Sequence, residues 1–165
     1  MILFFFTMLY YLEKTFIIYY CVIMINSLDI DALKQYFKIR GDAAFAFLFG
    51  SYAKGTATEI SDVDIAVYFY PANRHPIEYE EEVFYDGEDT IWDDLEKFLK
   101  QEVELVVLNR AYPVIAASAI RGIPLAINDW GLYLDFMAVV TSEAEDFMDF
   151  IINDYMEKCK FGQRD

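Results

Sequence analysis

A chain of 165 residues has room for one domain with a sizeable core, and none for a second catalytic module. Its net charge of −15, from 13 Lys and Arg against 28 Asp and Glu, repels phosphate backbones and argues against direct nucleic-acid binding; it favours a basic protein partner or plain solubility. Cys21 and Cys159 are the only two cysteines and show no ligand spacing, which excludes a disulfide framework or structural zinc and fits a reducing cytoplasm.

The first segment, MILFFFTMLYYLEKTFIIYYCVIM (Met1 to Met24), is almost wholly apolar except for Glu13 and Lys14. A spanning helix needs about 20 apolar residues, and a charge at its centre costs about 3 kcal/mol. A secretory signal would carry a basic start and a small-residue cleavage site, and neither is present. Residues 1–23 therefore read as an apolar leader upstream of a domain spanning 24–165, with a membrane anchor or an extra packed element as the alternatives.

Ser27 or Asp29 can cap a helix whose apolar face is Ile30, Leu33, Phe37 and Ile39, with Gly41 as its stop. Ala43 to Phe49 is a continuous apolar run, as expected of a strand buried on both faces. Ser51 to Ile60 is small and polar and predicts a turn or short helical turn. From Asp62 to Tyr70 the alternation of a strand puts Asp62, Asp64 and Ala66 on one face and Val63, Ile65 and Val67 on the other.

Pro71 to Asp89 reads as a loop with a short helical stretch around Glu78 to Val83, and Thr90 with Asp93 predicts a capping box. Ile91, Leu95, Phe98 and Leu99 would form the buried stripe of the helix that follows. Val103 to Leu108 is a third strand, Pro113 opens a small-residue helix stopped by Gly122, and Ile123 to Ile127 is a short edge strand containing Pro124. From Leu132 to about Cys159 the pattern is helical, with Phe136, Met137, Val140, Phe147, Phe150, Ile151 and Tyr155 as apolar positions. The expected architecture is α/β (α+β): a small mixed sheet flanked by helices, with a long C-terminal helix.

Two strands meet at Gly50-Ser51, and the second opens with Asp62-x-Asp64. Carboxylates two apart on a strand converge on one point, where they repel and raise each other's pKa. A hard divalent cation removes that penalty, and Mg²⁺ favours one or two carboxylates plus water and phosphate oxygens. Glycine at the preceding turn lets backbone approach a phosphate, and a serine hydroxyl adds a hydrogen bond. Glu104, early in the third strand, is the leading third carboxylate; Glu102 shares its face and is the fallback.

The run GSYAKGTATEISDVDIAV resembles the G-S-x10-D-x-D signature of the polymerase-beta nucleotidyltransferase superfamily. It is more closely similar to the minimal nucleotidyltransferase antitoxins, whose motif is commonly written G-S-x-A-R-G…S-D-x-D. VELVVLNRA and RGIPLAIND resemble the later strands more loosely. The resemblance implies a polymerase-beta-like fold in which Gly50 and Ser51 contact the triphosphate of ATP. Asp62 and Asp64 would bind Mg²⁺, Glu104 would stand for the usual third Asp in a site for two Mg²⁺ ions, and Lys54 would replace the usual Arg. Lys54 keeps the charge but loses bidentate geometry, and Glu104 is one methylene longer than Asp.

Such antitoxins are usually encoded with a HEPN-type ribonuclease toxin. The resemblance implies transfer of AMP from ATP to a tyrosine of that toxin; the alternative is an antitoxin that neutralises it by binding alone. A small-molecule nucleotidyltransferase ranks last, because its acceptor site usually needs an additional helical domain. Other residues invite less. His75 reads as a surface loop residue, Tyr79 and Tyr85 as loop aromatics able to touch a partner, and Trp92 and Trp130 as packing residues. Arg110 either meets phosphate or has a structural role near a helix start.

Overall fold

The structure is a computed structural model that describes residues 28–71 and 83–161, with side chains described to residue 153. The leader, Ser27, His75, Tyr79 and the helical stretch expected from Glu78 lie outside the described residues, as does the side chain of Tyr155.

Helix α1 (Ile30–Lys38) starts at Asp29, whose Oδ1 accepts a hydrogen bond from the Ala32 amide at 2.9 Å, and it buries Leu33 and Phe37. Strand β1 (Ala43–Leu48) follows, buried along its whole length. A short helix α2 (Gly50–Lys54) leads by a loop to β2 (Val63–Phe69). Helix α3 (Gly87–Leu99), β3 (Val103–Val107), a 3-10 turn (Leu108–Arg110), α4 (Pro113–Ala119), β4 (Ile123–Ile127) and α5 (Trp130–Phe161) complete the chain.

The sheet order is β3-β2-β1-β4. β1 pairs antiparallel with both β2 and β4, and β2 pairs parallel with β3, so the sheet is mixed as expected. β4 is an edge strand, the position that tolerates Pro124. The alternation expected of β2 holds. Val63, Ile65, Val67 and Phe69 join a core with Leu33, Phe37, Ile91 and Leu95 of α1 and α3. Ala66 and Tyr68 face the opposite core, with Phe45, Phe47, the alanines of α4, and Phe136 and Val140 of α5. Phe45 and Tyr68 stack there at 4.6 Å, with Phe136 within 5.3 Å of both rings. Each such side chain contributes about 1.5–3 kcal/mol by leaving water.

Four expectations need correction. α3 opens at Gly87, three residues before Thr90. Its start is secured by Glu88, which reaches back to accept from the Tyr85 amide at 2.9 Å, while Asp93 pairs with Lys97 one turn on. Phe98 is 51% exposed, so the stripe of α3 is Ile91, Leu95 and Leu99 alone. The apolar positions of α5 are buried only in its first half, at Phe136 and Val140; Phe147, Phe150 and Ile151 are exposed. α5 also begins two residues before Leu132, because Asp129 Oδ1 accepts from the Leu132 amide at 3.0 Å.

The tryptophans pack only partly. Trp130 is 60% exposed and meets Tyr133 edge-on at 5.8 Å. Trp92 is 44% exposed, yet its indole Nε1 donates to the Val103 carbonyl at 3.1 Å, tying α3 to the start of β3. Trp92→Phe keeps much of the apolar contact and removes that bond. It is expected to cost about 1 kcal/mol, a fall in Tm of about 2–4 °C in a thermal melt; an unchanged Tm would show the bond to be neutral.

Candidate active site

The turn at the end of β1 is built by glycine. Gly50 has φ +64°, and a Cβ placed on it would lie 1.8 Å from Asp64 Oδ2. No side chain fits there. The backbone at Gly50 is therefore in contact with the Asp64 carboxylate, the second of the Asp62-x-Asp64 pair, and the Phe49 amide donates to the Asp64 carbonyl at 3.0 Å. From the other side, the Ser51 backbone N–H donates to the Asp64 carboxylate. Helix α2 is held by Tyr52, which is 1% exposed and whose hydroxyl donates to Gln101 Oε1 at 3.2 Å.

Asp62 sits immediately before β2 and is exposed, whereas Asp64, inside the strand, is half-buried. The loop before them is shaped by Ser61, whose Oγ accepts from the Thr58 amide at 2.9 Å. In the parallel β2–β3 ladder Asp64 stands opposite Glu104, and the two side chains are within hydrogen-bonding reach. Glu102 precedes β3, and its carbonyl accepts from the Val63 amide at 2.9 Å. Register thus places Glu104 beside Asp64.

Burial pushes the Asp64 carboxyl above its ordinary range, the negative charge of Glu104 and a hydrogen bond to it push it further, and Asp62 adds to the effect; the Ser51 amide pulls the other way. Among the described residues no three His, Cys, Asp or Glu side chains are already drawn together as ligands of one ion. An all-oxygen set of crowded carboxylates nevertheless suits Mg²⁺, which needs only one or two of them and completes its shell with water and phosphate.

The raised pKa gives a stability prediction. Folding disfavours ionised Asp64, so the penalty is present above the folded-state pKa. It fades as pH falls and is gone below the ordinary value of 3.8. Without added Mg²⁺, Asp64→Asn is expected to melt above the unchanged protein at pH 7. That advantage should close as pH approaches 4; a variant that melts lower at pH 7 would contradict the crowding.

Next to Gly50 lies a cleft of about 330 Å³, lined by Gly50, Ala53, Lys54, Ser118, Arg121 and their neighbours. Lys54 is exposed at the end of α2. Arg121 comes from the turn between α4 and β4, with Nε donating to the Ala117 carbonyl at 2.9 Å. It brings a second cation to a cleft in an acidic protein, and sequence reasoning passed over it. Its one local signal was a cation beside Gly122, whose hypothetical Cβ would lie 2.2 Å from the Leu48 carbonyl oxygen.

Two other residues take structural roles. Arg110 makes a bidentate ion pair with buried Glu88, through Nη1 at 2.7 Å and through Nη2, and also donates to the Val83 carbonyl at 3.0 Å. The helix-start alternative is the observed one. Tyr85 stacks on Phe69 at 4.7 Å and accepts from Asn109 Nδ2 at 2.9 Å, so it is part of the fold.

Residues 31–130, more than half of the chain, match the family model described as polymerase beta, nucleotidyltransferase. The chain belongs to the polymerase beta nucleotidyltransferase family. Solved structures agree on the fold. This nucleotidyltransferase chain superposes on a chain of a toxin–antitoxin crystallised with AMP-PNP with a TM-score of 0.56 and 23% identity, covering 78% of this chain and 99% of the other. A double Asp-to-Glu variant of the toxin–antitoxin MntA-HpeT gives 0.57 and 22% over the same shares of 78% and 99%. The toxin–antitoxin MntA-HepT gives 0.50 and 20%, covering 81% of this chain and 98% of the other. No curated protein matches the chain. Among the described residues, no helix of this nucleotidyltransferase is long and apolar enough to cross a membrane.

Proposed function

We propose that this protein is a minimal nucleotidyltransferase antitoxin that transfers AMP from ATP to a tyrosine of a HEPN-type toxin, with Mg²⁺. The single observation that carries the reading is the contact of Gly50 with the Asp64 carboxylate, which sets the small turn against one acid of the pair. Family membership supports nucleotidyl transfer. The toxin–antitoxin neighbours support the biological setting, and one of them was crystallised with AMP-PNP. Another carries Asp-to-Glu changes at positions two residues apart, the spacing of Asp62 and Asp64.

In this reading the apolar leader, residues 1–23, is upstream sequence, and the domain begins at residue 24. Gly50 and Ser51 offer backbone and hydroxyl to the triphosphate, and Lys54 holds its charge at the end of α2. Asp62 and Asp64, with Glu104 beside them, hold the metal. Bound Mg²⁺ supplies neutralisation of the charge on the reacting phosphates. Glu104 accepts the tyrosine hydroxyl proton. The tyrosine oxygen then bonds to the α-phosphorus, the bond from that phosphorus to the bridging oxygen breaks, and pyrophosphate leaves. Positioning and charge stabilisation supply most of the rate.

The test is intact mass of the partner toxin after incubation with this protein, ATP and Mg²⁺. A gain of one or more adenylates is expected, and Glu104→Gln should slow it by about 10²- to 10⁴-fold, the usual contribution of a general base. Neutralisation of the toxin with no gain in mass would replace the enzyme by an antitoxin that acts through binding alone. The net charge of −15 is what favours that second reading, because it suits docking onto a basic, RNA-binding toxin.

A further inference from the structure

The face of α5 that packs on the sheet does not end where the sheet ends. At 3.6 residues per turn, Phe147, Met148 and Ile151 continue the stripe formed by Phe136, Val140 and Ala144. The first group is exposed by 49%, 48% and 43%, whereas Phe136 and Val140 are buried. Phe150 and Ile152 widen the exposed apolar arc on either side. The arc is continuous with a cleft of about 500 Å³ between α4 and α5, where Ala117, Ile120, Ala144 and Met148 supply apolar lining and Arg121 stands at the α4 side with Glu145 and Asp149 opposite on α5. Contiguous apolar surface of this kind marks an interaction site.

Its borders say what covers it. Glu145 and Asp149 run along one side of the stripe, Glu143 and Asp146 along the other, and all four are exposed. Between Arg121 and Lys158 the sequence contains no Lys, Arg or His. A second copy placed symmetrically along this half of α5 would set four acids of one helix against four of the other, with Arg121 at the cleft's edge as the one nearby cation of each copy among the described residues. An anionic lipid surface or a nucleic acid would be repelled in the same way. A protein helix with an apolar ridge between rows of Lys or Arg satisfies both the stripe and its rims.

We propose that the second half of α5, from Glu143 to Asn153, is a docking surface for a basic amphipathic helix of a partner protein. The proposal is independent of the nucleotidyl-transfer reading, so either can fail alone. The helix enters as apolar side chains laid along Phe147, Met148 and Ile151, with its cations over Glu143, Glu145, Asp146 and Asp149.

The test uses the full chain and two fluorescent helical peptides of about 18 residues, long enough to hold a helix: one built from Leu and Lys, the other from Leu and Glu. Anisotropy should show binding of the Leu/Lys peptide, weakened by salt, and none of the Leu/Glu peptide. Phe147→Ser with Ile151→Ser changes no charge and is expected to weaken Leu/Lys binding at least about 10-fold. Glu145→Gln with Asp149→Gln should weaken it too and flatten its salt dependence. All four residues are solvent-exposed, so circular dichroism should be unchanged. Equal binding by the double-serine variant would reduce the interaction to unspecific charge attraction and overturn the proposal. So would light scattering that shows the unchanged protein to be a dimer that the double-serine variant breaks.

Discussion

Replacing Asp62 and Asp64 together by asparagine is expected to abolish nucleotidyl transfer and to leave the fold intact. Asparagine keeps the size of each side chain, and at position 64 its amide oxygen still accepts from the Ser51 amide, the bond now made by the carboxylate. Asp62 is exposed ahead of β2 and makes no demand on the core. What disappears is the negative charge that would hold a hard cation over the phosphates. Charge stabilisation of that kind is worth several kcal/mol, so transfer should fall on the order of 10³-fold or more. The measurement is incorporation of labelled AMP into the partner, beside a thermal melt. Normal transfer by the double variant would refute the metal assignment; a collapsed melt would show that these acids serve the fold instead.

Gly50→Ala is expected to damage both stability and transfer, for two separable reasons. The residue has φ +64°, where an L side chain costs about 1–2 kcal/mol. Its Cβ would also overlap Asp64 Oδ2 at 1.8 Å, so either the carboxylate or the turn must move. A displacement of about 1 Å in a reacting geometry costs about 10²-fold in rate. Gly55→Ala provides the comparison, because Gly55 caps the other end of α2 with φ 68°. Both variants should lose stability, read as the urea midpoint, but only Gly50→Ala should lose transfer by about 10²-fold beyond the fraction unfolded. Equal losses of transfer would make backbone strain the whole effect, with no part for the carboxylate contact.

Much of this molecule is written in local pattern. The run AAFAFLF announces a strand buried on both faces, and β1 is buried throughout. The alternation in DVDIAV assigns Asp64 and Ile65 to opposite faces, and Ile65 lies in the core with α1 and α3. Pro113 marks the first residue of α4, and Asp29 the cap of α1. These features depend on neighbours within about one helical turn or two strand residues, so they are legible without the rest of the chain. The acid pair after a Gly-Ser turn was legible for the same reason.

Where distant segments meet, local pattern is silent. The sequence favours Glu104, inside the third strand, over Glu102, two residues earlier on the same face, but says nothing of what either acid meets. Only the parallel register of β2 with β3 sets Glu104 against Asp64. Arg110 offered two roles, and the approach of Glu88 from α3 decided between them. Arg121 reached the cleft beside Gly50 because the turn into β4 folds there. In α5, periodicity marks the same apolar stripe along the helix, and only the extent of the sheet beneath it decides that Phe136 is buried and Phe147 exposed. The sequence by itself determined the kind and order of the main elements and which residues of β1 and β2 face the core, though not where each helix starts, because backbone period and side-chain spacing act over a few residues. The tertiary structure alone decided which acids, cations and apolar faces share a space, because strand register and helix docking are set by packing between segments tens of residues apart.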